Sequence, residues 1–478
     1  MIYGAYGLLS VVSAAKYYVD SDEGRDDADG LSERSAWRSL ARASENTYQS
    51  GDRLLLRSNC SWEGALLLKG SGKPGSPILL SRYGEGALPI INGDGKSNAN
   101  AVGGKPISCA IRLFNQEHWR IENLEITNYD LEEESGLSLE QWEARNLTKF
   151  ANVEQPERVT GRRSRKVGIL VQAKGLIRGD FLSGLRFSGL KIHGINGDMG
   201  TKDNGGIFFK VYDDGLGNTV HFEDVLFEDN LIFDVDRTGI SNVSEFDDRE
   251  FSRNINWNPN RNWVFRNNVF RRTGANALIV RVAVAPLMEK NLFDTCAIKG
   301  SGNAAFNFNT DDALWQFNEF RFTKANWDDE DAGGVDSDYR SKNTIIQHNH
   351  IHDNDFGLLV TGGPGRFNDG TIVRNNLIVN DGRVARKGDD GKFVLRVSGS
   401  ATNTLFYKNV VILDEDQSYT KIAFHKRWGT LPESTTYREN VFVNLAKDSF
   451  HDLGESTGNI FVDNQYFGEV LDETNSKD

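Results

Sequence analysis

The chain has 478 residues, with 68 Asp and Glu against 55 Lys and Arg, so its net charge is −13. That balance argues against a nucleic-acid partner, because phosphate binding draws on clustered Lys and Arg to release counterions. A mean hydropathy of −0.49 argues against a membrane span. The 48 glycines, 28 phenylalanines and only 9 prolines describe many turns around a narrow apolar interior.

The opening "MIYGAYGLLSVVSAA" is apolar and ends in small residues, so residues 1–15 read as a signal peptide and the protein as secreted or periplasmic. "KYYVDSDEG" then begins one folded domain over 16–478. Cys60, Cys109 and Cys296 are too few and too scattered for a disulfide framework or a zinc site, and read as lone buried thiols. From residue 51, "GDRLLLRSNCSWEGALLLKGSGKPGSPILLSRYGEGALPIINGDG" alternates short β runs with Gly-rich turns, as a cap and first coils would. Residues 127–166 interrupt the pattern with a helical stretch from about Ser138 and the basic "GRRSRK", an insertion that reads either as the wall of a groove or as a solvated decoration.

Around the insertion a nine-residue unit recurs: "HWRIENLEI" (118–126), "DVLFEDNLI" (224–232), "NWVFRNNVF" (262–270), "NTIIQHNHI" (343–351), "GTIVRNNLI" (370–378) and others. Asn marks its seventh place at 123, 230, 268, 291, 318, 349, 376, 409, 440 and 464, at separations of 23 to 33 residues from Asn268 onward. These spacings fit no helical period. They fit an all-β, single-stranded, right-handed parallel β-helix, in which coils of a couple of dozen residues stack about 4.8 Å apart. Asn at each bend tolerates left-handed geometry and bonds its neighbours, so Asn268, Asn291, Asn318, Asn349 and Asn376 should form one vertical ladder.

After each Asn bend comes another strand entered through a small residue, among them "GGIFFKV", "NALIVRV", "AAFNFNT", "GGVDSDY", "FGLLVTG", "GKFVLRV" and "TKIAFHK". Taking Ile207, Leu278, Phe306, Val335, Leu358 and Phe393 as inward leaves an outward column. It holds Phe208 and Lys210, Ile279 and Arg281, Asn307 and Asn309, Asp336 and Asp338, Leu359 and Thr361, Val394 and Arg396, Ala423 and His425. Asp336 and Asp338 then share one exposed strand face, about 6.5–7 Å apart at Cα. Two carboxyls so close cannot both ionise freely, which supplies an acid and a base. An ion-holding D-x-D pair that binds Ca²⁺ is the alternative reading, and the acidic turn "NWDDEDAG" (326–333) just ahead of it reads as solvated. In "HNHIHDND", His348 and His350 fall at a bend, while His352 and Asp353 sit on the turn leading to the groove strand.

The repeats over about 100–466 resemble the pectin-lyase-like right-handed β-helix superfamily of carbohydrate-active proteins, and the front of the chain resembles the cap of its secreted bacterial members. The segment "FNEFRFTK…GGVDSDYRSKNTIIQHNHIHDND" is similar to one in bacterial members that reads N-E-V, D-G-x-A-F-D-x-D and Q-Y-N-Y-S-H-D-N. Asn318, Glu319, Asp336, Asp338, Gln347, Asn349, His352, Asp353 and Asn354 match, whereas Val335, His348 and His350 replace aromatic residues. "NTDD" at 309–312 resembles the N-T-D element of polygalacturonase-type hydrolases, without that family's partner elements.

The residues and the resemblance together point to a secreted glycoside hydrolase acting on a polysaccharide or oligosaccharide. Asp336 and Asp338 would be its reacting pair, with Arg281, Arg396 and His425 orienting substrate and Lys210, Asn307, Asn309, His352 and Asp353 lining the site. No cofactor is required, with Ca²⁺ as the one candidate ion. The alternatives are a Ca²⁺-assisted lyase of uronate-containing glycans and a non-catalytic glycan-binding β-helix.

Overall fold

The computed structural model describes residues 14–95, 98–99, 106–129, 164–175, 181–326, 331–386 and 390–470. The opening apolar segment up to residue 13, most of the 127–166 insertion with its helical stretch, and the centre of "NWDDEDAG" lie outside the described residues.

Three strands make one turn of a coil, as in Asn260–Arg266, Val269–Thr273 and Leu278–Val284. Each pairs in parallel with its counterpart one coil on: Val264 faces Leu287, Val269 faces Leu292 and Leu278 faces Ala305. Among the described residues, the middle strands form a sheet of 13, and the other two sets join around a corner into a sheet of 31. This is a right-handed parallel β-helix, as the repeat predicts. Near its start the six-residue helix Leu40–Glu45, capped by Ser39 Oγ accepting the Arg42 N–H at 3.1 Å, buries Leu40 and Ala43 beside Trp37 and Tyr48.

One apolar core runs from Val19 to Ala446. Because equivalent residues stack at the strand spacing, their rings lie nearly parallel: Phe187 on Phe227 on Phe265 at 5.2 and 4.6 Å, and Phe270 on Phe293 on Phe320 at 5.0 and 4.6 Å. The three cysteines are free and buried, as the sequence suggests.

The asparagine ladder forms as expected. Asn230, Asn268, Asn291, Asn318, Asn349, Asn376, Asn409 and Asn440 each donate Nδ2 to the Oδ1 of the next rung, ending at Asn464, at 2.8–3.0 Å. Two details differ. The left-handed residue is the one before each rung: Asp229, Asn267, Lys290, Phe317, His348, Asn375, Lys408, Glu439 and Asp463 have φ of 53–57°. Asn123 is such a residue, with φ 57°, so it is no rung. Leucines take that place in the early coils, and the N–H of Leu190 donates to Asn230 Oδ1 at 3.0 Å.

Candidate active site

The third strand of each coil carries the groove. Register puts Phe208, Ser241, Ile279, Phe306, Asp336, Leu359 and Arg396 in one outward row. The adjoining row contains Lys210 beside Val243 and Arg281 beside Phe308, then Asp338, which donates its N–H to Asn307 O at 2.9 Å. Asp336 and Asp338 therefore share the outer face, with Arg281 two coils to one side and Arg396 two coils to the other, as expected.

Several expected groove residues are not there. Phe306 and Phe308 face outward in place of Asn307 and Asn309. Asn307 is wholly buried, its Nδ2 among the hydroxyls of Thr310, Thr344 and Ser341 at 2.8, 3.0 and 3.2 Å, its Oδ1 accepting from Trp315 Nε1 at 2.9 Å. Asn309 sits at a left-handed bend, φ 56°, and donates to Asp247 O at 2.6 Å. Val394 and Ala423 join the core. His425 also points inward, with Nδ1 2.8 Å from Ser456 Oγ and Nε2 3.1 Å from Tyr437 OH, and burial pushes its pKa down to about 4. Lys210 is on the right face but four coils from Asp338, paired to Glu245 at 2.9 Å. His352, on an interior strand of the 13-stranded sheet, and Asp353 just after it lie apart from the groove and bond there to Glu319, Asn380 and Arg383.

Other side chains enter from off-period segments that give no repeat signal. Lys202, from the segment before strand Gly205–Tyr212, has its carbonyl held by Ser241 Oγ at 2.8 Å and its Nζ 4.9 Å above the Phe306 ring. Arg237, at the corner before strand Thr238–Ser244, donates to Asn276 Oδ1 at 3.2 Å. Asp331, whose N–H donates to Ser301 Oγ at 3.2 Å, acts electrostatically on Asp336, Asp338, Lys202, Arg237 and Arg396.

The carboxyls differ in access. Asp336 is 4% exposed; its Oδ2 accepts from Asn303 Nδ2 at 3.2 Å and its Oδ1 is buried without a hydrogen bond. Burial, then Asp338 and Asp331, push its pKa well above the usual carboxyl value against the opposing pull of Arg396. Asp338 is only half-buried and accepts the Tyr339 N–H at 2.8 Å. Desolvation and Asp331 raise it to about 7, against that N–H, Lys202 and Arg281. Lys202 is exposed as a residue, yet desolvation of its ammonium, with Arg281 and Arg237 nearby, pushes it down to about 8. Burial and Arg281 lower Arg237 to about 10. Arg396 lies 5.2 Å from the Phe393 ring with Nε and Nη1 buried and without hydrogen-bond partners.

A cleft of about 190 Å³ is bounded by Lys202, Arg281, Phe306, Phe308, Asp338 and Tyr339. Asp338 is in its wall; Asp336 is behind it. The aromatic wall continues from Phe308 to Tyr339 at 4.9 Å and on to the 43% exposed Trp428 at 6.0 Å. The cleft thus combines a carboxyl that changes state near neutral pH, cations on either side, and ring faces suited to the apolar faces of sugars. Four cationic side chains already surround these carboxyls. The donor sets that converge closely enough for a metal are elsewhere among the described residues, at Glu319, His350 and His352 and at Asp20, Asp22 and Cys60.

The family described as the right handed beta helix region matches residues 253–420. No curated protein matches the sequence. Among solved structures, the GH136 lacto-N-biosidase from Eubacterium ramulus is similar in its native form at 21% identity and in its selenomethionine derivative at 20%. Each gives a TM-score of 0.66 over 95% of this chain and 68% of that one. XylC in complex with xylose is 11% identical with a TM-score of 0.49, over 94% of this chain and 86% of that one. At 20–21% identity the likeness to the lacto-N-biosidase is one of fold.

Proposed function

We propose that this chain, which has the pectin-lyase-like right-handed parallel β-helix fold, is a glycoside hydrolase of an oligosaccharide or polysaccharide, with Asp338 as its proton-donating carboxyl. The observation that carries the proposal is Asp338 itself: it lines the cleft, holds its proton up to about 7, and stands between cations and aromatic walls. A carboxyl poised near the working pH both gives a proton to a leaving oxygen and takes one back from water. Hydrolysis of a glycosidic bond calls for a second carboxyl. Asp331 is the other half-buried member of the cluster and fits that role, its charge being the acidic neighbour that raises Asp338, while Asp336 is covered and has its own pKa raised by burial. The like-folded lacto-N-biosidase is consistent with such chemistry. Export, the apolar start of the chain suggests, would bring the enzyme to extracellular glycans.

The test is a panel of glycans assayed in parallel for new reducing ends and for unsaturated products. Asp338→Asn and Asp331→Asn should each lower turnover by at least about 10²-fold, the usual scale for lost acid–base catalysis. Full activity in folded Asp338→Asn would move the chemistry elsewhere.

One observation favours a second reading. The sequence column offers no lysine beside the aspartates, but Lys202 stands there, lowered to about 8, with Arg237 and Arg281 nearby. That is a base and cation set for a polysaccharide lyase on a uronate, and unsaturated products would establish it.

A further inference from the structure

We propose that Glu319, His350 and His352 form a binding site for a divalent transition metal of the zinc type, on the outer face of the 13-stranded sheet and apart from the groove. Strand His350–His352 turns Ile351 into the core and both imidazoles outward, with ring centroids 4.1 Å apart. Glu319, on the preceding coil, is the register partner of His350. One donor atom from each of the three lies within 4.8 Å of the others, so small side-chain rotations bring them around one ion.

The surrounding bonds prepare the site. His352 Nδ1 is 2.8 Å from Asp353 Oδ2, and its Nε2 is aimed at Glu319 Oε1, 3.3 Å away. A carboxylate that accepts one ring N–H fixes the tautomer and leaves the opposite nitrogen as the ligand, the arrangement found behind metal-bound histidines. Asp353 is itself held by Asn380 Nδ2 at 2.9 Å and Arg383 Nη1 at 3.0 Å, so the orienting group is fixed before any ion arrives. Glu319 Oε1 also accepts from Arg321 Nη1 at 2.7 Å; an ion at Glu319 displaces that bond, and Arg321 keeps Asp294 at 3.3 Å. Two imidazoles and one carboxylate suit zinc, copper or nickel better than calcium or magnesium, which take oxygen ligands. The next coil offers Leu377 and Val379 at the same register and no donor, so a fourth ligand comes from solvent. A plain ion pair of His352 with its carboxylates accounts for one imidazole but not for the exposed second one stacked on it. The other convergent set, at Asp20, is weaker: Asp20 already accepts the N–H groups of Asp22 and Glu23 and pairs with Arg57.

The experiment uses the full chain without a polyhistidine tag, stripped with chelator and titrated calorimetrically with zinc chloride at neutral pH. One equivalent should bind. The double variant His350→Ala/His352→Ala should lose at least about 100-fold in affinity, and Asp353→Asn, which removes only the orienting acceptor, about 10-fold. Both variants should melt like the wild type in chelator, since these side chains lie outside the core. If the double variant does not fold, Glu319→Gln takes its place and should weaken binding at least about 10-fold. Absence of zinc uptake by the wild type, or equal affinity in the ligand variants, overturns the site.

Discussion

Asp338 and Lys202 titrate in one cleft, at about 7 and about 8, and the two candidate chemistries need them in opposite states. A hydrolase needs Asp338 protonated, so kcat/KM falls as pH rises through about 7, and two units above it only about 1% of the enzyme carries the proton, a loss of about 100-fold. A lyase needs Lys202 as the free amine, so its rate climbs about tenfold per unit and levels off above about 8. The groups interact, so the limbs of either profile belong to the pair. The decisive perturbation is Lys202→Met. Its ammonium holds the Asp338 pKa down, so removing it moves the falling limb to higher pH in a hydrolase while activity persists. In a lyase the same change abolishes turnover. Initial rates of reducing-end release and of unsaturation, measured across pH for wild type and Lys202→Met, decide the matter. A wild-type rate that climbs through pH 8, or a limb that moves to lower pH in the variant, refutes the assignment of Asp338 as the acid.

Asn349→Leu in the middle of the ladder leaves the Asn318 N–H, the Asn318 amide and the Trp315 carbonyl without acceptor or donor. At about 1–3 kcal/mol each, allowing for relaxation, the loss is about 3–6 kcal/mol in chemical unfolding, and an unchanged midpoint counts against the stacking argument. Gly205 has φ 127° and a Cβ there would lie 1.6 Å from Thr238 O, so Gly205→Ala should lower the melting midpoint by many degrees; an unchanged midpoint would show that this backbone contact gives way easily. Asp381 is buried, accepts from Asn354 Nδ2 at 2.8 Å, and is pushed by burial up to about 8. Its folded pKa lies above the unfolded one, so its stabilising contribution is complete below about pH 4 and is lost as pH rises through about 8. Asp381→Asn keeps the acceptor and removes the proton, and should therefore be more stable than wild type at pH 9; equal slopes of stability against pH would dismiss the shift.

The ladder was readable because one residue type recurs at one place in every coil, and its chemistry, an amide that both donates and accepts, works only when stacked. The left-handed residue beside it was not readable, because Asp, Asn, Lys, Phe, His and Glu all occupy that place and only the bend imposes the geometry. In "AAFNFNT" the alternation allows two registers. Size and hydrophobicity favour Phe306 inside, yet Ala305 and Asn307 point in, because Trp315, Thr310, Ser341 and Thr344 on neighbouring strands complete the hydrogen bonds of Asn307. Those partners lie up to 37 residues away in sequence and carry no pattern that announces them. Lys202, Arg237 and Asp331 come from corners and loops where the repeat is broken, so no periodicity could have pointed to them.

That one-residue register shift changes the chemistry of the groove. With Asn307 and Asn309 outward, the rung beside the aspartates would offer amides, whose N–H groups stabilise carboxylates and hold their pKa values low. With Phe306 and Phe308 there instead, the rung between Arg281 and the aspartates is apolar, and on the other side Leu359 separates Asp336 from Arg396. At about 4.8 Å per coil, each arginine's backbone is two coils, roughly 10 Å, from that of the aspartate it acts on, Arg281 on Asp338 and Arg396 on Asp336. Desolvation outweighs Lys202, Arg281 and the Tyr339 N–H, which is why Asp338 keeps its proton up to about 7. Phe306 and Phe308, which the alternation assigned to the core, instead line the cleft beside Asp338 and add apolar surface next to a carboxyl that desolvation raises.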